Sequence, residues 1–145
     1  MADPNCIFCK IVAGELPARI VDEDDRTIAF MDIAPANRGH ALVIPRAHSE
    51  DLLNVTEEDL AATAQAARRL AVRMKQQLAA DGVNLLNSCG RAAWQTVFHF
   101  HIHVIPRYAE DPLRLPWIPG EGDPAEIERA AQELAGQGRN SQTAT

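Results

Sequence analysis

Three histidines stand at alternate positions in one short apolar run, Val97-Phe98-His99-Phe100-His101-Ile102-His103-Val104-Ile105-Pro106. Its aromatic and β-branched content and period-two alternation predict a strand. Successive strand side chains point to opposite faces, so His99, His101 and His103 share one face and Phe98, Phe100, Ile102 and Val104 the other. A row of imidazoles over a buried apolar face is a costly way to build plain structure, and the run is read as chemical. The outer two histidines lie about 13 Å apart at Cα on a straight strand. Zinc–nitrogen bonds are only about 2.0–2.1 Å, so three imidazoles cannot easily converge on one ion. The roles are therefore divided, with at least one histidine acting on substrate as nucleophile, acid or base.

The chain's 145 residues suffice for one domain with a real core. A formal net charge of −6 argues against a protein that coats nucleic acid, although a single nucleotide is still a possible ligand. The N-terminus has neither a basic nor an apolar leader region, and no apolar run is long enough to span a bilayer. Three cysteines are too few, and odd in number, for a disulfide framework. Reducing cytoplasm is the expected surrounding, with no membrane partner and no nucleic-acid partner.

Along the chain, Cys6 to Ala13 reads as one or two helical turns ending at Gly14. Arg19–Asp22 and Thr27–Asp32 read as a hairpin, and His40–Pro45 as a third strand. Thr56 caps the clearest helix, with Asp59 at the capping-box position and Val55 placed to staple to Leu60. Its expected buried stripe is Leu60, Ala64, Ala67, Ala71, Met74 and Leu78, stopped by Asp81-Gly82. Val83–Ser88 is a fourth strand, leading to the histidine strand. The proline-rich stretch after Arg107 is too broken for a sheet, and Asp123-Pro124 starts a short helix to about Ala135. Hairpin strands and a long helix without βαβ alternation indicate an α+β fold with an antiparallel sheet. One domain over 1–136 is expected, with a core at roughly 6–107, a C-terminal loop and helix at 108–136, and a polar tail at 137–145.

Cys6-Ile7-Phe8-Cys9 has the spacing at which two thiolates share a metal, and a redox pair would need a βαβ context that is missing. With His48 and His99 as further ligands, the site would be closed and structural, tying the N-terminal segment to the sheet. The plainer alternative is two buried thiols. Cys89 has no partner at metal spacing and reads as a strand residue. His40 opens the third strand and either orients His101 or His103 or is simply hydrogen-bonded structure. Asp32 sits among Phe30, Met31 and Ile33, where an unpaired carboxylate is costly. It either caps the following loop or accepts hydrogen bonds from a ligand's paired hydroxyls. Gln95 and Thr96 are placed to offer donors to an anion.

These residues together resemble the histidine-triad (HIT) family of nucleotide-binding proteins. The resemblance runs from roughly Cys6 to Arg107. It rests on His99-Phe100-His101-Ile102-His103-Val104-Ile105 after Gln95-Thr96-Val97, on Cys-Ile-Phe-Cys-Lys-Ile-Val, Phe30-Met31-Asp32-Ile33 and Gly39-His40-Ala41-Leu42-Val43-Ile44-Pro45, and on Asn87. It implies a five-stranded antiparallel sheet with one long helix, assembled as a homodimer. By position, His101 resembles a nucleophile that attacks the α-phosphorus of a nucleotide, with His103 holding phosphate and managing protons and His40 in support. Asp32 matches the carboxylate that binds ribose hydroxyls. Ile7, Phe8, Ile11, Phe30 and Ile33 match positions around the base, and Asn87, Gln95, Thr96 and Val97 the phosphate-binding set. Bacterial-type members bind zinc through residues matching Cys6, Cys9, His48 and His99, so one structural zinc per chain and no organic cofactor are expected.

The resemblance implies a hydrolase or transferase acting at the α-phosphate of purine nucleoside phosphoramidates or adenylates. Dinucleoside polyphosphates are the second substrate class. Rivals of other kinds are a metallohydrolase using His101 and His103 as ligands, and a nucleotide-binding scaffold dimer with little turnover. Two departures stand out. Trp94 occupies a position where many relatives place glycine, and the stretch after Arg107 matches poorly apart from Trp117-Ile118-Pro119-Gly120.

Overall fold

The computed structural model describes residues 2–139, with side chains through residue 136. The chain forms two compact units, Met1–Pro112 and Leu113–Thr145. In the first unit the elements run α1 (Ile7–Val12), β1 (Ile20–Glu23), β2 (Thr27–Met31), β3 (Ala41–Pro45), α2 (Glu57–Gln77), β4 (Gly82–Leu86), a 3-10 turn (Arg91–Ala93) and β5 (Ile102–Arg107). The strands form one five-stranded sheet in the order β1-β2-β3-β5-β4, and every neighbouring pair is antiparallel. This is the α+β architecture expected from the sequence.

Two apolar clusters cover the sheet. Ala29, Ala41, Val43, Phe100, Ile102 and Val104 pack with Ala66, Ala67, Leu70 and Met74 of α2. Phe8, Ile28, Phe30, Leu42 and Ile44 pack with Cys6 and Cys9 around α1. Strand alternation thus sends one set of side chains to α2 and the other to α1. The histidines fall on the α1 side.

Several local expectations are corrected. Thr56 does cap α2, its hydroxyl accepting from the Asp59 N–H at 3.1 Å. The Asp59 carboxylate does not reach back to complete a capping box, because Arg26 binds it at 2.7 Å. The buried face of α2 is Asp59, Thr63, Ala66, Ala67, Leu70 and Met74. Ala64 is exposed, while Leu60, Ala71 and Leu78 lie at the border of the core. Many similar alanines left the phase of the stripe undetermined, and tertiary packing selected it. The helix stops at Leu78 and the chain reverses through Ala79, whose φ is 55°, before Asp81-Gly82 is reached. Cys89 lies beyond β4 as a free cysteine.

The largest correction concerns the histidine run. Its paired part begins only at Ile102, and His99 to His101 lie ahead of the ladder. The Phe100 N–H bonds to the Ser49 carbonyl at 2.7 Å, so this stretch follows the turn after β3. Pro106 is tolerated in β5 because β3 pairing ends at Val104, leaving β4 as its only paired strand there among the described residues. Just before β3, Gly39 has φ +94°, and a Cβ there would collide with Leu78 Cδ1 and crowd Pro106 Cγ at 3.0 Å. Only glycine fits this turn, which delivers His40 to the sheet.

In the second unit, α3 (Pro124–Arg139) starts with Pro124 in its first turn, and the Asp123 carboxylate accepts from the Ala125 N–H. Gly136 breaks it with φ 53° and ψ −152°, one residue after the expected end. Residues 140–145 of the expected tail lie outside the described residues.

Candidate active site and metal centre

Cys6 is the N-cap of α1 and Cys9 lies one turn on, so one short helix brings both thiols together; the Cys9 N–H donates to Cys6 Sγ at 3.3 Å. His48 follows β3 and His99 precedes β5. Cys6 Sγ is 3.4 Å from His99 Nδ1, and Cys9 Sγ is 3.4 Å from His48 Nδ1 and 3.6 Å from His99 Nδ1; the two Nδ1 atoms are 3.3 Å apart. Donors at zinc bond lengths around a tetrahedral ion lie roughly 3.3–3.8 Å from one another, so the group fits one. The proton positions agree. His99 Nε2 lies 2.8 Å from the Pro45 carbonyl, which only accepts, so Nε2 carries the proton and Nδ1 turns a lone pair toward the cluster. Burial pushes His99 down to about 4, keeping it neutral, and burial raises the Cys6 thiol. A bound ion would displace the thiol protons and join α1 to the sheet. Asp3, with Oδ2 3.9 Å from His48 Nε2, flanks the group, and no spacing pattern points to it.

Beside this cluster is a cleft of about 360 Å³. Ile7, Phe8, Ile11, Phe30, Ile33 and Val97 form apolar wall, and Asp32, Thr96, His101 and His103 bring the polar groups. Of the residues expected around a nucleotide, these ten are thus brought together. Leu16, Pro17, Ala18, Met31 and Leu42 line it too. Their contribution was invisible in sequence because apolar wall and apolar core have the same composition.

His101 Nδ1 is 2.7 Å from the His99 carbonyl, so it donates there and leaves Nε2 bare. Asn87 donates to the His101 carbonyl at 2.9 Å and does not line the cleft. Gln95 is buried and turned inward: its amide donates to the Glu50 and Val97 carbonyls, and its oxygen accepts from the Gly90 N–H. His40 Nε2 lies 2.9 Å from His103 Nδ1 and 3.4 Å from Asp32 Oδ2. Asp32 Oδ1 accepts from the Ala34 N–H at 2.8 Å, while Oδ2 is 4.0 Å from His103 Nδ1. Asp32 therefore caps its loop with one oxygen and faces the histidines with the other. Burial lowers His101 and His40 below the ordinary histidine range and pushes His103 down to about 4. Neutral imidazoles facing an apolar cleft are suited to nucleophilic and proton-transfer chemistry.

Residues 13–110 match the family described as HIT domain. The protein hit of Bacillus subtilis is 42% identical over 106 residues, 73% of either chain. A Zn-bound histidine triad family protein from Mycobacterium smegmatis has a similar structure, with a TM-score of 0.74 and 41% identity, covering 88% of this chain and 92% of the other. A histidine triad nucleotide-binding protein from Candida albicans superposes with a TM-score of 0.79 at 32% identity, covering 90% and 94%. Among the described residues, no helix is long and apolar enough to cross a membrane.

Proposed function

Given that this chain belongs to the HIT domain family, we propose that it is a nucleotide hydrolase or transferase. It cleaves at the α-phosphate of purine nucleoside phosphoramidates or adenylates through a nucleotidyl-histidine intermediate. The observation that carries this reading is His101, whose Nδ1–H is tied to the His99 carbonyl so that its bare Nε2 is the nitrogen left to act in the cleft. The base lies between Ile7, Phe8, Ile11, Phe30 and Ile33, and Asp32 accepts from the ribose hydroxyls. Thr96 and Val97 lie along the phosphate, with Asn87 and Gln95 bracing the segments that hold it.

His101 Nε2 attacks the α-phosphorus, and the bond to the leaving group breaks as that group takes a proton from a water molecule held by the His103 Nε2–H. The positive imidazole is stabilised by the hydrogen bond from Nδ1 to the His99 carbonyl. The hydroxide left there then attacks the phosphorus, and the electrons of the P–N bond return to His101 as the nucleoside monophosphate departs. An imidazole serves because it is both attacker and leaving group, dividing one difficult displacement into two. His40 supports His103 at 2.9 Å. One structural zinc per chain at Cys6, Cys9, His48 and His99 would clamp α1, and with it Phe8, over the site. The protein works as a homodimer in a reducing cytoplasm; its partner is a small-molecule purine nucleotide, with no membrane or nucleic acid required.

The test is AMP release from adenosine 5′-phosphoramidate by wild type and His101→Ala, each with and without chelator. Turnover that survives chelation and is lost in the variant supports the covalent route. Loss on chelation with the fold intact favours a metallohydrolase. Absence of AMP from the wild type, followed by cleavage of a dinucleoside polyphosphate, moves the substrate to that class; binding without any turnover leaves a scaffold role.

A further inference from the structure

Among the described residues, two groups of side chains have the composition of a metal site, and the cysteine-containing one is described above. The second is Asp32, His40 and His103, whose ligand atoms lie 2.9, 3.4 and 4.0 Å apart. One carboxylate and two imidazoles beside an open cleft is a set that divalent transition metals accept readily. An ion held there would occupy the groups that face substrate.

The proton positions separate the two groups. The Ala36 N–H lies 2.9 Å from His40 Nδ1. A backbone amide only donates, so this Nδ1 carries no proton and the neutral ring keeps its proton on Nε2. Nε2 faces His103 Nδ1 at 2.9 Å, which therefore accepts, and the proton of His103 lies on its own Nε2. The direction of donation runs from the Ala36 amide through both rings. In the cysteine-containing group it is the reverse: His99 donates outward to the Pro45 carbonyl and keeps a lone pair for the ion.

We infer that the Ala36 amide is a positioning group that makes Asp32, His40 and His103 a proton-carrying cluster closed to divalent cations. A cation binding His40 Nε2 must first displace its proton. Moved to Nδ1, that proton would point at the Ala36 N–H, setting two donors head-on and breaking the hydrogen bond between them. Removed altogether, it would leave an imidazolate. Neither cost arises at Cys6, Cys9, His48 and His99, so zinc in excess fills that site and leaves His103 with Nε2–H in place. The protonation pattern follows from the hydrogen bonds alone; only its use in leaving-group protonation rests on the function proposed above.

Long-range ¹H–¹⁵N correlation spectra of the full zinc-loaded chain at neutral pH read each tautomer directly. His40 and His103 are both expected with a protonated Nε2 and a bare Nδ1. In His40→Gln the side-chain amide can still donate to His103 Nδ1, and His103 keeps its tautomer. In His40→Ala the donor is gone, and His103 shifts toward Nδ1–H. Zinc titration of metal-free protein, followed by calorimetry and elemental analysis, is expected to give one tightly held ion per chain. A proton found on His40 Nδ1, or a second ion held as tightly as the first and lost in His103→Ala, overturns the inference. Neither readout needs turnover, so a protein that released no AMP would leave this test intact.

Discussion

The Phe8 ring stands edge-on to the His101 imidazole, with centroids 5.2 Å apart and planes at 86°. Phe8 also lies between Cys6 and Cys9 in sequence and packs against Phe30 at 5.4 Å. One side chain therefore joins the candidate metal centre to the wall of the cleft. Whatever fixes α1 also fixes the surface against which His101 and a base would rest.

Removing the ion should therefore weaken both the fold and the cleft. A ligand present at a thousand times its dissociation constant contributes about 4 kcal/mol to stability. For a domain of this size, that corresponds to a fall in Tm on the order of 10–20 °C. Calorimetry with and without chelator, and on Cys9→Ser, checks it, with AMP affinity measured in parallel. Equal melting with and without chelator would remove the structural role assigned to the cluster.

Acid should destabilise the metal-free protein before carboxylates begin to titrate. His99 and His103 are pushed to about 4 from an ordinary 6.5, chiefly by burial. Between those values the unfolded chain binds protons that the folded chain does not, so stability rises with pH there. The contribution is complete above 6.5 and is lost as pH falls toward 4, at up to roughly 1.4 kcal/mol per pH unit for each histidine. Urea unfolding from pH 7.5 down to 4.5 measures it. A flat profile across that window would contradict the burial of these two rings.

How much of this was legible in the residues differs by element. Thr56 announced α2, alternation announced the strands, and the Cys6–Cys9 spacing announced half of the metal cluster; all of these are local patterns. The phase of α2 was not legible, because Ala64 and Ala66 differ in nothing except the neighbours they meet. The true start of β5 was not legible either. His99 and His101 leave the ladder because the chain bonds to Ser49 and Pro45, residues about fifty positions away. Arg26 taking Asp59 from its cap is the same kind of event, a long-range partner outcompeting a local one. The spacing of the triad set His99 apart from His103, and the structure puts the two in different side-chain groups; the hydrogen bonds that fix their protons could not be read from it.

Gln95 is expected to matter through the backbone it holds. Replacing it with leucine keeps approximate size but leaves the Gly90 N–H and the Glu50 and Val97 carbonyls without their side-chain partner. These groups are partly buried, and a group left unsatisfied away from water costs about 1–3 kcal/mol, so Gln95→Leu should lower the unfolding free energy by about that much. Thr96 and Val97 line the cleft, so turnover should fall as well, more in kcat than in KM. Unchanged stability would mean that water takes over all three bonds.

Trp94 stands at φ 77°, in the left-handed region, and the residue is 62% exposed. A side chain bearing a Cβ is strained there by roughly 1–2 kcal/mol, and glycine is not. Glycine costs some of this back by making the unfolded chain more flexible, about 0.4–1 kcal/mol. The two effects oppose each other and strain is the larger, so Trp94→Gly should stabilise the protein by roughly 0.5–1 kcal/mol. The urea midpoint should rise while the slope of the transition stays constant, since little apolar surface was buried by this side chain in the first place. Trp94→Ala supplies the control: it deletes the indole but keeps the strained Cβ, so it should gain almost nothing. Equal gains from both variants would assign the effect to the exposed ring rather than to the backbone.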